Sequence, residues 1–160
     1  MQSTDIKTEL LVNHDFAKGT LEGWKVGDPS AFTVMKDPDG QGFICVLKVQ
    51  PGEGVAYSLE QTDLPAIPGT YYFSHWYRIS DESGQPADGT ATVTGSVGFA
   101  ADGVWKVIAK PASANREWKK LTKKFELPAN ATSFTFSIQH TESENTTGWA
   151  AIRNVSLWRM

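Results

Sequence analysis

Short runs of β-branched and aromatic residues alternate with turn-forming residues along this whole chain. The runs predict β-strands, because branched and aromatic side chains fit a pleated sheet, while the intervening Gly, Pro, Asp and Asn favour turns. No segment keeps the 3.6-residue period of an amphipathic helix. The pattern predicts strands at residues 9–12, 31–36, 43–49, 54–62, 70–80, 90–99, 104–108, 117–127, 132–141 and 149–158.

Alternation within residues 71–79 separates an apolar face from a mixed one, because successive side chains of a strand point to opposite sides. We predict that the apolar face packs in the core and that the mixed face points outward. The apolar face consists of Tyr71, Phe73, His75, Tyr77 and Ile79. The mixed face consists of Tyr72, Ser74, Trp76 and Arg78.

Two later runs divide in the same way. In residues 118–127, Lys123 interrupts the apolar side, which predicts an edge strand or a bulge. That apolar side otherwise consists of Leu121, Phe125 and Leu127. In residues 132–141 the inward positions are Phe134, Phe136, Ile138 and His140. The outward positions there are Thr135, Ser137 and Gln139.

Many short strands with one apolar face each predict an all-β fold. A sheet with one solvent-exposed face must bury its apolar face, so two sheets packed face to face agree with the alternation of apolar and polar residues. At 160 residues, the chain has the length of one domain with one core. We therefore predict a jelly-roll β-sandwich of two antiparallel sheets, with a flexible leader at residues 1–8 and a single domain at residues 9–160.

The two ends of the chain carry the most specific pattern. Residues 10–16 read LLVNHDF and are followed by Gly23 and Trp24, while residues 148–157 read GWAAIRNVSL. This pairing resembles the first and last strands of galactose-binding-like jelly rolls, the fold of many non-catalytic carbohydrate-binding modules of the family 4, 9 and 22 type. The resemblance implies a sandwich that binds a polysaccharide or glycan.

The residues that bind a sugar are expected to combine flat aromatic rings with polar groups. The C–H face of a pyranose stacks on an aromatic ring, while its hydroxyls need amide, carboxylate or guanidinium partners. We predict that one outward face supplies both, with Trp105 in a nearby hairpin as a secondary candidate. The candidate binding residues are Tyr72, Trp76, Arg78, Gln139 and Trp105. The alternative is that a loop or the N-terminal segment covers these aromatic residues.

The resemblance also implies where a metal would lie. Members of these families often hold a structural calcium with a Glu just after the N-terminal Phe and an Asp in the last strand. The matching positions here are Ala17 and Arg153, which remove two carboxylates and add a cation. Since Ca²⁺ requires oxygen ligands, we predict that this metal site is absent. Arg153 is expected to pair instead with an acidic residue, Asp15 or Glu53.

The composition of the chain limits the kinds of partner that it is expected to bind. With 15 Lys and Arg against 18 Asp and Glu, the net charge is −3, which gives no basic surface for nucleic acid. No run approaches the roughly 20 apolar residues that span a bilayer. The polar residues before the first strand are what a removed signal segment and an added start Met would leave, so we expect an extracellular or cell-envelope location.

The sequence contains none of three common motifs for catalysis or cofactor binding. The chain has no Gly-x-Ser-x-Gly elbow, phosphate-binding loop or His-Glu-x-x-His run. The single Cys45 lies in an apolar run and is expected to be buried, while His75 and His140 are expected to be a satisfied core pair. We therefore expect no enzyme and no cofactor.

Three functions remain open from the sequence. The first is a non-catalytic carbohydrate-binding domain of an exported protein. The second is a structural or protein-binding sandwich without sugar affinity. The third is a small jelly-roll enzyme that acts on sugars, which would need two acidic residues converging in one pocket.

Overall fold

Two antiparallel sheets account for the strands of this chain. The computed structural model describes residues 8–48, 58–143 and 148–160. In chain order the strands are β1 (Thr8–Glu9), β2 (Lys25–Val26), β3 (Phe32–Lys36), β4 (Phe43–Lys48), β5 (Ser58–Leu64), β6 (Gly69–Ser80), β7 (Ala91–Ala101), β8 (Val104–Ala114), β9 (Lys119–Leu127), β10 (Thr132–Ser143) and β11 (Trp149–Arg159). A short 3₁₀ helix at Pro29–Ala31 precedes β3.

The strand order separates the two sheets clearly. The first sheet runs β3-β4-β11-β6-β9, and β1 pairs with the far end of β11. The second sheet runs β2-β5-β10-β7-β8. The predicted all-β sandwich of two antiparallel sheets is therefore confirmed. No helix in the described part of the chain is long and apolar enough to cross a membrane.

The core lies between the sheets and is largely aromatic. Tyr71 of β6 packs against Phe134 of β10 with ring centroids 5.4 Å apart, and Phe73 packs against Phe136 at 5.8 Å. All four side chains are fully buried. Each buried aromatic side chain contributes about 1.5–3 kcal/mol, so these pairs hold the sheets together. The inward faces predicted from alternation in β6 and β10 are confirmed.

The N-terminal motif forms a compact turn against β11. Asn13 takes a positive φ of 49°, and its side-chain amide donates to the carbonyls of Thr20 and Glu22. The indole of Trp24 donates to the Asn13 carbonyl at 3.0 Å and stacks on Phe16. These contacts explain why the motif places Asn, Phe and Trp at those positions.

Some strand boundaries differ from the prediction. β8 extends to Ala114, beyond the predicted end at residue 108, and includes Pro111. Pro is tolerated there because β8 is an edge strand of the second sheet. The two-residue β2 was not predicted, and residues 49 and 54–57 of the predicted strands lie outside the described residues. β9 is an edge strand, as Lys123 predicted.

Burial shifts the pKa values of Cys45, His75 and His140 strongly. Cys45 is fully buried, as expected, and burial raises the pKa of its thiol to about 12. Burial lowers the pKa of both His75 and His140 to about 4. His140 Nδ1 lies 3.4 Å from the Leu47 carbonyl oxygen.

The prediction of a satisfied histidine pair is wrong for His75. Neither of its ring nitrogens has a hydrogen-bond partner among the described residues. The ring packs against the backbone of Gly95, where an added Cβ would lie 2.8 Å from His75 Cε1. Gly95 thus makes room for an imidazole that is held neutral in an apolar layer.

We expect the free energy of unfolding to fall as the pH falls from about 6.5 towards 4. The unfolded histidines titrate near 6.5, while His75 and His140 in the folded state titrate near 4, so the unfolded state binds more protons between these values. Urea unfolding of the native protein and a His75→Leu variant at pH 7.5 and pH 5 measures the effect. The variant should lose less stability on acidification than the parent, and an equal loss in both would contradict this reasoning.

Candidate functional site

The five predicted binding residues lie on two opposite faces of the sandwich. Tyr72, Trp76 and Arg78 lie on β6 of the first sheet, whereas Gln139 lies on β10 and Trp105 on β8 of the second sheet. The prediction that Gln139 shares a face with Trp76 is therefore wrong. Alternation distinguishes inward from outward positions, but it does not determine which sheet a strand joins.

The outer face of the second sheet is here called the Trp105 face. Its outward residues follow from the pairing of β10 with β5 and β7, which sets Ser137 opposite Glu60 on one side and Ser96 on the other. A shallow depression of about 220 Å³ lies on this face. The Trp105 face comprises Glu60, Ser96, Gly98, Trp105, Val107, Thr135, Ser137 and Gln139.

Trp105 forms a platform on this face. Its side chain is 53% exposed. The indole covers Gly98 of β7, where an added Cβ would lie 2.2 Å from Trp105 Cζ2. A side chain at position 98 would therefore displace the ring, so this position of Trp105 requires a glycine beneath it.

Polar groups surround the platform on the neighbouring strands. Glu60 is half-buried and accepts a hydrogen bond from Ser58 Oγ at 2.8 Å. Gln139 lies next along β10 from Ser137, on the same side, and is also half-buried. The Trp105 face therefore combines one exposed aromatic ring with hydroxyl, amide and carboxylate groups.

The outer face of the first sheet is here called the Trp76 face. Trp76 is half-buried and lies opposite Arg153 of β11 and Lys120 of β9. Tyr72 stacks on Trp158 with centroids 5.4 Å apart and an interplanar angle of 14°. A depression of about 300 Å³ on this face is lined by His14, Ser74, Trp76, Lys120, Asn154, Ser156 and Trp158.

Arg78 is enclosed by the protein instead of facing solvent. Its side chain is 3% exposed, forms an ion pair with Asp39 and donates from Nη2 to the Gly84 carbonyl at 3.0 Å. Its guanidinium carbon lies 4.4 Å from the centre of the Trp118 ring. The expectation that Arg78 offers hydrogen bonds to a sugar on this face is therefore corrected, because the 81–84 turn covers it.

Arg153 pairs with an acidic residue, as expected, but that residue is Asp37. Arg153 Nη1 lies 2.6 Å from Asp37 Oδ2, and the Asp37 side chain is 2% exposed. The guanidinium carbon lies 4.1 Å from the Trp118 ring centre and 5.5 Å from that of Trp76. Of the predicted partners, Glu53 lies outside the described residues.

The positions that the resemblance links to calcium do come together. Ala17 and Arg153 both line a depression of about 360 Å³, together with Asp15 and Asn154. Within the described ranges, no three His, Cys, Asp or Glu side chains cluster closely enough to hold a metal ion. A methyl group and a guanidinium do not fit a Ca²⁺ ion, which needs six to eight oxygen ligands.

Breaking the Arg153–Asp37 pair should destabilise the fold. Arg153→Met leaves a buried carboxylate unpaired, so we expect a loss of about 2–3 kcal/mol, less than for a fully enclosed pair because Arg153 is 25% exposed. Arg116→Met is the matched control, because the exposed Arg116–Asp88 pair should contribute under about 1 kcal/mol. Urea unfolding measures both variants, and equal losses would contradict the structural role of Arg153.

This chain matches a known protein family. A family model described as a carbohydrate binding domain matches residues 8–150. A search of curated protein sequences gives no match.

Three of the solved structures that resemble this chain either contain a bound sugar or are described as sugar-binding. TmCBM61 in complex with beta-1,4-galactotriose is 20% identical, with a TM-score of 0.59, over 96% of this chain and 99% of that one. The CBM22-1 xylan-binding domain of Paenibacillus barcinonensis Xyn10C is 12% identical, with a TM-score of 0.69, over 98% and 97%. The CBM22-1-GH10 modules of Clostridium thermocellum Xyn10B, complexed with xylohexaose, are 15% identical, with a TM-score of 0.64, over 98% and 29%. At these identities the likeness establishes the fold.

Proposed function

Since this chain belongs to the carbohydrate-binding domain family, whose model matches residues 8–150, we propose that its Trp105 face is the surface that holds the glycan. The observation that carries the proposal is the exposed indole of Trp105 resting on Gly98. An aromatic ring in that position offers a flat apolar surface to the C–H face of a sugar ring. The absence of a side chain at Gly98 leaves room for the ring to lie on the sheet, where it can contact a sugar without first displacing a neighbour.

The polar residues of the Trp105 face suit the hydroxyl groups of a sugar. The carboxylate of Glu60 accepts hydrogen bonds, and the Gln139 amide both donates and accepts them. From β8 across β7 and β10 to β5 there are three strand spacings, about 14 Å in all. That distance matches an oligosaccharide segment lying across the strands, so we propose a polysaccharide as the ligand.

The charge of the Trp105 face favours a neutral polysaccharide. Among the described residues that line its depression, Glu60 alone is charged. A glycan carrying carboxylates would meet this carboxylate as a like charge, which disfavours binding. The similar structures are those of modules bound to beta-1,4-galactotriose or xylohexaose, or described as xylan-binding, and a neutral polysaccharide of that kind is the proposed ligand.

We further propose that the domain binds without catalysing a reaction. Hydrolysis of a glycosidic bond commonly needs two carboxyl groups, about 5–10 Å apart, facing the scissile bond. Beside Glu60, no second acidic residue lines the described part of the Trp105 depression. Because cell-wall polysaccharides such as xylan lie outside the cytoplasm, the domain is proposed to act in an exported protein, at the cell envelope or beyond.

Removal of the Trp105 ring should abolish most of the affinity for the glycan. Trp105→Ala is expected to weaken binding by tenfold or more, as is typical for a central interface Trp worth at least about 1.4 kcal/mol. Calorimetric titration with soluble galactan, xylan and mixed-linkage β-glucan measures the affinities. Gly98→Val should reproduce the loss without removing the indole, since its side chain displaces the ring.

Trp76→Ala is the matched control, because it removes an indole from the opposite sheet. It should leave the affinity for the neutral polysaccharide within about twofold of the parent value. Retention of full affinity by Trp105→Ala and loss of it by Trp76→Ala would overturn the assignment of the binding face.

A protein-binding role is the second candidate, favoured by the apolar edge of β8. Val104, Trp105 and Val107 are each more than half exposed on this edge strand. Exposed apolar residues on a sheet edge are also found at contacts between proteins. The absence of binding to every polysaccharide in the panel would favour this role over glycan binding.

A further inference from the structure

We propose that the Trp76 face is a second glycan-binding surface, and that it selects acidic polysaccharides. The domain would then hold two chemically different chains on opposite sheets. This inference goes beyond the proposed function, because it concerns a different sheet, different residues and a different charge class of ligand.

The shape of the Trp76 face resembles that of a sugar site. Its depression of about 300 Å³ is open to solvent and contains the half-buried indole of Trp76. Tyr72 is half-buried and stacks on the buried Trp158, so its ring extends the apolar surface along β6. Hydroxyl and amide groups of Ser156 and Asn154 line the same depression. An aromatic floor with polar groups at its border is the combination that a sugar ring requires.

The depression on this face is lined by a lysine, whereas the Trp105 depression is lined by a glutamate. Lys120 lines the depression, and Lys124 lies further along the same side of β9, after Thr122 and opposite Tyr72. Both lysines are exposed, and neither forms a salt bridge with a described residue. No carboxylate is among the described residues that line this depression. A ligand with negative charge is therefore favoured here.

One carboxylate lies close to the depression and is already engaged. Glu9 of β1 accepts hydrogen bonds from the Leu11 and Leu157 amides and from Ser156 Oγ. Its side chain also lies 3.9 Å from His14 Nδ1. Because its oxygens are occupied by protein donors, Glu9 opposes an anionic ligand less than a free carboxylate would.

Arg153 lies beside the ring, and its charge is already balanced by the ion pair with Asp37. Its guanidinium lies 5.5 Å from the centre of Trp76 and is held in place by Asp37 and Trp118. The side chain is still 25% exposed. A guanidinium whose position is already fixed loses little conformational entropy on binding a carboxylate or sulfate group.

Asn154 links the two depressions of this side of the molecule. It lines both the Trp76 depression and the adjacent one beside Arg153. Its φ of 48° lies at the bulge that interrupts the pairing of β11 with β6, and its side chain is exposed. The bulge therefore exposes an amide between the depression that Lys120 lines and the one that Asp15 and Arg153 line, where it can bind sugar hydroxyls.

The test compares two neighbouring lysines that point to opposite sides of β9. Lys120→Gln removes a charge from the Trp76 face, while Lys119→Gln removes the same charge from the other side of the strand, opposite Tyr77. Both positions are exposed, so both variants should fold like the parent. The probes are polygalacturonate for carboxylate groups, dextran sulfate for sulfate groups and the neutral galactan, titrated at low ionic strength.

We expect the parent protein to bind at least one acidic polymer, with affinity that falls as salt is added. Lys120→Gln should weaken that binding about three- to fivefold, while Lys119→Gln stays within twofold of the parent. Trp76→Ala should weaken it further, and Trp105→Ala should leave it unchanged. Which acidic polymer binds identifies the anionic group, and either one supports the proposal.

Three results would overturn this inference. Equal weakening by Lys119→Gln and Lys120→Gln would show attraction to net charge without a site. Loss of acidic-polymer binding in Trp105→Ala would show that a single face serves both ligands. Binding of galactan without binding of either acidic polymer would refute the second surface while leaving the proposed function intact, since neutral binding is tested by Trp105→Ala.

Discussion

The packing of two aromatic-rich sheet faces against each other determines the rest of this structure. Tyr71 and Phe73 of one sheet meet Phe134 and Phe136 of the other, and none of the four is accessible to solvent. Because a strand alternates sides, burial of these residues forces their neighbours onto the two outer faces. The core therefore creates two separate outward surfaces, each of which carries a tryptophan.

A network of cations and aromatic rings anchors the outer side of the first sheet. Trp118 lies within 4.4 Å of the guanidinium of Arg78 and within 4.1 Å of that of Arg153. Each arginine also pairs with an aspartate of the loop between β3 and β4. This arrangement ties the loop to β6 and β11.

The sequence allowed prediction of local features better than of long-range ones. Alternation correctly identified the inward residues of β6 and β10, since strand geometry is local. It did not reveal that Gln139 and Trp76 belong to different sheets, because sheet membership depends on pairing between distant strands. The partner of Arg153, 116 residues away, and the turn that covers Arg78 depend equally on tertiary structure. The Gly98 beneath Trp105 had no sequence signal of its own.

Two outer faces, one with a glutamate and the other with a lysine lining its depression, make the position of the ligand the central question. Amide chemical-shift mapping by NMR during titration with a neutral galacto- or xylo-oligosaccharide answers it most directly. We predict that the largest chemical-shift changes fall on β7, β8 and β10 around Gly98, Trp105 and Ser137, and on the Trp105 indole N–H. Shifts confined to β6, β9 and β11 around Trp76 would contradict the central claim that the Trp105 face binds the neutral glycan.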